Sequence, residues 1–472
     1  MSLASKLRTA PSEAAGGDKS QRPNFIFLYT DDQRWDAMSV VQKEQGARAR
    51  FPWFKSPNMD RLAAEGVRFR NAFVVNSLCS PSRACFLTSR YSHFNGVANN
   101  RTPFPVDSVT HATLLRAAGY TTGYFGKWHM DNQRGQRPGF DFSASHIGQG
   151  RYLDCPFEVN GQETPTKGWI DDVVTDYAVQ FIKDNKAKRF SMVIGFKSPH
   201  DPRQPAERNK DLFAGEEPRP AANADCRPPF LLEPGPTVAR PGKKAAAAKK
   251  AKAGRPGSNF ENIRNCFRCL AGVDQNVGRI LDTLDQLGLA ENTVVIYCSD
   301  NGYYFGEHSL GDKRSAYDES LRIPMLLRWP KLGDKGKTAD EMILNIDLAP
   351  TLLDLAGVTI PATMQGRSWR PLLEGRPGEW RKAFFYEYFY ERGMGRTPTT
   401  LAVRTETAKL IKYPGHDDWT ELYDLKADPD EKKNLARDPA HKDLLEPMQA
   451  EFDRQAKAVQ FQIPEWADKP EE

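Results

Sequence analysis

The chain has 472 residues, of which 39% are hydrophobic and 11% aromatic, a composition typical of a large globular protein and not of a disordered one. Seven cysteines, an odd number in a long chain, exclude a disulfide scaffold, and no apolar run approaches the length of a membrane span. The net charge of +5 arises from one Ala/Lys/Pro/Gly stretch at 240–255, which holds seven positive residues and no acid. We therefore expect a solvated basic insertion at 240–257 rather than a polyanion contact, and no nucleic-acid partner.

Residues 1–21 are small and polar and lack the apolar core of a signal peptide. We expect a disordered or trimmed tail there. The protein is then either cytoplasmic or has lost its signal.

From residue 22 to about 375, short apolar strands alternate with amphipathic helices. This order predicts an α/β fold, in which a large mixed, mostly parallel sheet is sandwiched by helices. The expected strands are 24–29, 120–125, 190–196, 293–298 and 323–328, and the expected helices are 56–66, 109–118, 170–185, 260–287 and 344–355.

After residue 375 the pattern changes to short aromatic and β-branched runs separated by turn residues. It predicts a small C-terminal α+β subdomain at 376–472, with an antiparallel sheet closed by a helix near 441–457. Its expected strands are 384–390, 401–404, 410–413 and 421–425.

Cys79 begins a C-x-P-S-R sequence, and Leu87-Thr88-Ser89-Arg90 follows one helical turn later. By itself this fits a cysteine that caps a helix, because Pro81 is favoured in the first turn. The amides and dipole at the start of such a helix would favour negative charge on the side chain of residue 79.

Polar side chains follow four of the predicted strands. Because ligands of open α/β sheets bind at the carboxyl ends of strands, we expect these side chains to converge. They are Asp31 and Asp32, Lys127 and His129, His200, and Asp300 and Asn301.

The acidic members of this set offer three carboxylates and one amide oxygen, the hard donors that Ca²⁺ or Mg²⁺ prefers over zinc. Positive or protonatable groups could hold a tetrahedral anion beside the cation. These groups are Arg83, Lys127, His129, His200 and Lys313. Each histidine alone could instead be structural, and we expect the Cys266 and Cys269 pair, within a helix, to be packing residues.

The landmarks RPNFIFLYTDDQ (22–33), CSPSRACFLTSR (79–90), GYTTGYFGKWH (119–129), SPHDP (198–202), SDNG (299–302) and GEHSLGDK (306–313) come in a specific order and spacing. On these residues the chain, from 22 to 436, resembles the type I, formylglycine-dependent sulfatases of the alkaline phosphatase superfamily. The stretch 73–100 looks similar to carbohydrate sulfatases that act on 6-sulfated N-acetylglucosamine and related glycans, which favours a carbohydrate sulfate over the alternative, an aryl or small alkyl sulfate. The resemblance implies a periplasmic or extracellular location.

The resemblance also implies a role for each matching residue. One Ca²⁺ would be bound by Asp31, Asp32, Asp300, Asn301 and the oxygen of formylglycine at position 79. A formylglycine-generating or sulfatase-maturing enzyme would convert Cys79 to that aldehyde, whose hydrate is the nucleophile. Arg83 would bind the hydrate, and Lys127 would bridge it to the sulfate. His129 would act as base. His200 and Lys313 would bind the sulfate and protonate the leaving oxygen.

Three positions depart from the family pattern: Ser89 replaces a usual Gly, and Met130 and Asp131 replace Leu-Gly, which we expect to alter the pocket wall. Tyr303 and Tyr304 could stack on sugar rings or belong to the core. A phosphodiesterase or phosphonate monoester hydrolase on the same scaffold, and an unmodified glycan-binding pseudoenzyme, are the alternatives to a sulfatase.

Overall fold

The structure, a computed structural model, describes residues 22–232, 259–333, 335–376, 378–391 and 396–465. The expected tail at 1–21 and the basic insertion at 240–257 lie outside the described residues. No helix within the described ranges is both long enough and apolar enough to cross a membrane.

A sheet of ten strands forms the centre of the molecule. Its strands are β1 (Asn24–Thr30), β2 (Val67–Phe73), β3 (Thr121–Lys127), β4 (Phe142–His146), β5 (Phe157–Val159), β6 (Gln162–Thr164), β7 (Phe190–Gly195), β8 (Thr293–Ser299), β9 (Met325–Arg328) and β10 (Lys337–Leu344). Their spatial order is β10-β2-β9-β8-β1-β7-β3-β4-β5-β6. Strand β9 runs antiparallel to both neighbours, and β5 is antiparallel to β4 and β6. The predicted mixed, mostly parallel sheet is confirmed.

Helices cover both faces of this sheet because both faces of its central strands are apolar. Phe25 and Phe27 of β1 pack into one core layer, whereas Ile26 and Leu28 pack into the other. Complete burial of such a side chain contributes roughly 1.5–3 kcal/mol. The helices are α1 (Ser39–Gln45), α2 (Pro57–Ala64), α3 (Cys79–Thr88), α4 (Ser92–Asn95), α5 (His111–Ala117), α6 (Ile170–Asp184), α7 (Pro229–Leu232), α8 (Phe260–Gln286), α9 (Asp318–Leu321), α10 (Leu348–Leu355) and α11 (Arg370–Leu373).

The C-terminal part forms a second, four-stranded antiparallel sheet, as predicted. Its strands are β11 (Ala383–Tyr388), β12 (Thr400–Thr405), β13 (Ala408–Lys412) and β14 (Glu421–Asp424), and helix α12 (Lys442–Ala458) follows. Phe385 and Phe452 share one core cluster with Phe73 and Leu78, so this sheet packs directly against residues beside the large sheet.

The prediction for 344–355 was wrong at its start. Residue Leu344 ends strand β10, a 3₁₀ turn (Asn345–Asp347) follows, and the α-helix begins only at Leu348. The Asp347 carboxylate accepts the Leu344 backbone N–H at 2.8 Å and thereby fixes the turn between strand and helix.

Candidate active site

Four adjacent parallel strands bring the predicted polar side chains together. Strand β1 pairs with β8 on one side and β7 on the other, and β7 pairs with β3. Their carboxyl ends therefore lie side by side. Asp31 follows β1, Asp300 follows β8, Trp128 follows β3, and Lys197 comes two residues after β7. All the strand-end residues predicted from the sequence meet at this edge.

The three carboxylates form one buried cluster. Oxygen atoms of Asp31, Asp32 and Asp300 lie within 4.8 Å of one another. Burial, and next the negative charge of Asp31, raises the pKa of Asp300 to about 7. The Oδ1 atom of Asn301 is buried and, among the described residues, accepts no hydrogen bond. Crowded carboxylates beside an unpartnered amide oxygen fit a hard divalent cation, which would offset their repulsion and use that oxygen.

Three fully buried cations neutralise the same carboxylates. The Arg83 guanidinium donates to Oδ2 of Asp300 at 2.6 Å and lies 3.1 Å from Oδ2 of Asp31. The Lys127 ammonium donates to Asp31, and Lys313 Nζ lies 2.5 Å from Oδ1 of Asp32. Burial opposes ionisation of Asp31, but these cations, Lys127 foremost, hold its pKa well below the ordinary value. These pairs keep Asp31 and Asp32 charged at neutral pH, whereas Asp300, with its raised pKa, is partly protonated.

Helix α3 presents residue 79 to this cluster. It begins at Cys79, and all ten of its residues are buried. The Cys79 Sγ atom lies 3.4 Å from Oδ1 of Asp31. Burial, followed by the Asp31 charge, raises the pKa of this thiol to about 12. Two hydrogen bonds of Ser80 hold the start of helix α3 in place. The Ser80 N–H donates to Oδ1 of Asn100 at 3.0 Å, and the Ser80 hydroxyl donates to the His129 carbonyl at 2.5 Å.

Gln149, which was not predicted from the sequence, connects Lys127, the last residue of β3, with His129. Its Oε1 accepts from Lys127 Nζ, and its Nε2 lies 3.0 Å from Nε2 of His129. Because lysine only donates, the amide nitrogen faces His129, so Nε2 of this imidazole is the acceptor. Burial, and then Lys127, lowers the pKa of His129 well below its ordinary value. The imidazole is therefore neutral at neutral pH.

Lys197, which was not predicted as a site residue, lies two residues after the end of β7. Its Nζ donates to the Gln149 carbonyl at 3.0 Å and lies 4.9 Å from the centre of the Tyr152 ring. Burial lowers the pKa of Lys197 to about 8. The Nε2 atom of His200 lies 3.9 Å from Oδ2 of Asp32. Burial, and then Lys127, lowers the pKa of His200 to about 3, so this imidazole is also neutral.

Two residues that were expected to be possible parts of the substrate pocket lie in the core. Met130 is completely buried in a hydrophobic core, so it forms no wall of an open pocket. Tyr304 is also completely buried and its hydroxyl pairs with Ser315, which assigns it to the core rather than to sugar stacking. The Arg203 guanidinium lies 4.8 Å from the centre of the Tyr303 ring.

Two features of the sequence could have indicated that Gln149 and Lys197 belong to the site. Gln149 lies between Gly148 and Gly150, both of which have positive φ (55° and 63°). Lys197 directly precedes the Ser198-Pro199-His200 sequence at the end of β7.

Comparison with known proteins identifies the family of this chain. Residues 23–358 match the family model described as Sulfatase, and residues 306–458 match the one described as N-sulphoglucosamine sulphohydrolase, C-terminal. The chain is 34% identical to N-acetylglucosamine-6-O-sulfatase of Bacteroides thetaiotaomicron over 89% of this chain and 83% of that protein. It is 27% identical to N-acetylglucosamine-6-sulfatase of Homo sapiens over 89% and 82%.

A solved structure of a protein in complex with its substrate D-glucosamine-2-N,6-O-disulfate superposes with a TM-score of 0.82. It is 32% identical, and the match covers 93% of this chain and 98% of the other. The chain therefore belongs to the sulfatase family, within the alkaline phosphatase superfamily, and is a sulfuric ester hydrolase.

Proposed function

We propose that this sulfatase hydrolyses the sulfate monoester of a carbohydrate, on a sugar related to 6-sulfated N-acetylglucosamine, to the alcohol and inorganic sulfate. The observation that carries the proposal is the position of Cys79, at the head of a buried helix and in contact with a carboxylate cluster ringed by cations. The two relatives that are N-acetylglucosamine-6-sulfatases by name, and the neighbour bound to a glucosamine disulfate, support the sugar.

Two groups complete the proposed site. Ca²⁺, held by Asp31, Asp32, Asp300 and Asn301, would supply Lewis-acid polarisation of the nucleophilic and sulfate oxygens. Formylglycine at position 79 would supply a hydrated aldehyde whose hydroxyl attacks sulfur, and whose second hydroxyl allows the sulfate to be expelled.

The chain's own side chains would move the protons and stabilise charge. His129, which its low pKa keeps uncharged, would accept a proton from the hydroxyl of residue 79. Lys127 stabilises the negative charge on the sulfate oxygens. Although burial favours the neutral amine, Asp32 raises the pKa of Lys313 well above its ordinary value, so Lys313 holds a proton. We therefore assign proton delivery to the leaving oxygen to Lys313, with His200 orienting the ester.

Conversion of Cys79 requires a maturing enzyme as partner. Because every residue of α3 is buried, that enzyme would act on the C-x-P-S-R sequence before the chain has folded around it.

Relative turnover of three substrates tests the function. We expect N-acetylglucosamine-6-sulfate to be hydrolysed with a higher kcat/KM than 4-nitrophenyl sulfate, and bis(4-nitrophenyl) phosphate to be the poorest substrate. Faster cleavage of the phosphate diester would instead identify a phosphodiesterase on this scaffold. Tight binding of the sulfated sugar without turnover, in protein produced with a maturing enzyme, would identify a pseudoenzyme.

A further inference from the structure

The four strands that carry the active site also form an open pocket at their other end. Arg22 and Asn24 line it at the amino end of β1, Lys186, Lys188 and Arg189 line it before β7, and Asn292 lines it before β8. The pocket has a volume of about 600 Å³. Since β1 spans seven residues at about 3.3 Å each, the pocket lies roughly 23 Å from the carboxylate cluster. It is a site separate from the catalytic one.

Positive charge dominates this pocket. Four of its lining residues are Lys or Arg, and none of the described lining residues is Asp or Glu. Lys186 and Lys188 are exposed. Both lie just before the buried start of β7, which anchors the backbone next to them.

The residues that line this pocket favour one class of anion. Lys and Arg side chains on a concave surface suit tetrahedral oxyanions such as sulfate groups. No aromatic residue lines the pocket in the described structure, so it offers no platform on which bases of a nucleic acid could stack. A sulfated glycan carries several such oxyanions on one flexible chain and can fill an open basic pocket with more than one of them.

We propose that this pocket is an exosite that binds sulfate groups of a glycan chain away from the bond being hydrolysed. The proposal rests on the carbohydrate substrate of the proposed function. Such binding keeps the enzyme on a polysulfated substrate without any contribution from the catalytic residues.

The test compares a Lys186→Ala/Lys188→Ala variant with a matched Lys167→Ala/Lys183→Ala control. Both control residues are exposed and lie outside the pocket, so the two variants lose equal charge. Calorimetry measures affinity for a heparin oligosaccharide, for inorganic sulfate and for a single-stranded oligonucleotide of equal charge, and 4-nitrophenyl sulfate turnover is measured alongside. We expect about tenfold weaker heparin binding in the pocket variant, scaled from two exposed ion pairs, and unchanged turnover. The control should bind like the wild type.

Several results would overturn the exosite. One is unchanged heparin affinity in the pocket variant, and another is an equal loss of heparin affinity in the control. A loss of affinity confined to inorganic sulfate would indicate a small-anion site. An equal loss for the oligonucleotide would indicate a general polyanion site. Failure of the proposed function is distinguishable, because absent sulfate ester turnover in the wild type leaves the heparin comparison intact.

Discussion

The Sγ atom of Cys79 lies 3.4 Å from Oδ1 of Asp31 in a completely buried site. A thiolate there would face a carboxylate at contact distance, and burial together with Asp31 raises the pKa of the thiol to about 12. Nucleophilic cysteines have lowered pKa values, in electropositive and partly exposed surroundings. Position 79 is therefore unsuited to cysteine chemistry and suited to an oxygen nucleophile beside a cation.

Calcium should stabilise the wild type more than an Asn301→Ala variant. The Asn301 Oδ1 atom is the buried oxygen that the cation would use, so its removal weakens binding. At a calcium concentration 100 times Kd, the free energy of unfolding should rise by about 2.7 kcal/mol. Thermal unfolding with and without calcium measures this. Asn185→Ala, a buried asparagine that bonds to Phe181 outside the site, is the control and should keep the shift. An equal shift in Asn301→Ala would exclude this residue as a ligand.

Gln149 should set the pH dependence of turnover through His129. In Gln149→Glu, a carboxylate next to the imidazole stabilises its protonated form and raises its pKa. Since the base must be neutral, the acid limb of the kcat profile should move to higher pH. Gln149→Ala should lower kcat about tenfold with little change in KM, because the bridge to Lys127 is lost. Gln136→Glu, on an exposed loop, is the control. Superimposable profiles for Gln149→Glu and the wild type would contradict this role.

Ser89 should tolerate Gly better than Ala. It ends helix α3 in the left-handed region, with φ 57°, where a side chain is disfavoured. Both variants lose the bond that the Gly366 N–H donates to the Ser89 hydroxyl, but only Gly relieves the strain. We expect the Ala variant to be about 1 kcal/mol less stable than the Gly variant in urea unfolding. Equal stability of the two would show that the backbone there is unstrained.

His111 should destabilise the protein in acid. It is completely buried, and burial alone lowers its pKa to about 4. The unfolded chain then binds a proton that the folded chain does not, so stability falls as the pH drops below about 6.5, by roughly 3 kcal/mol once the pH reaches 4. Urea unfolding of His111→Leu should show a smaller loss between pH 7 and 5 than the wild type. His441→Leu, at a half-exposed site, should not. An unchanged loss in His111→Leu would show that this histidine is protonated in the folded protein.

The central strands and the strand-end residues were predictable because each is encoded locally. A continuous apolar run predicts a doubly buried strand, and parallel strands bring their carboxyl ends together. Strand β2 was not predicted, since Arg68 and Arg70 interrupt its apolar residues. It forms because β10 and β9 pair with it, and this tertiary pairing overrides the local pattern.

Gln149 and the basic pocket were not predictable for a related reason. Gln149 lies on a loop without periodicity, and only the folded chain places its amide between Lys127 and His129. Arg22 and Lys186 are more than 160 positions apart in sequence, and only the parallel pairing of β1 with β7 brings them to one pocket.

The mass of the peptide that contains residue 79 tests the central claim most directly. In protein produced together with a maturing enzyme, we predict that this peptide is lighter than its cysteine form by the difference between a thiol and an aldehyde side chain. The same preparation should hydrolyse a sulfate ester, and a Cys79→Ala variant should lose at least about 1,000-fold in kcat. An intact thiol at position 79 in protein that still turns over the ester would contradict the account.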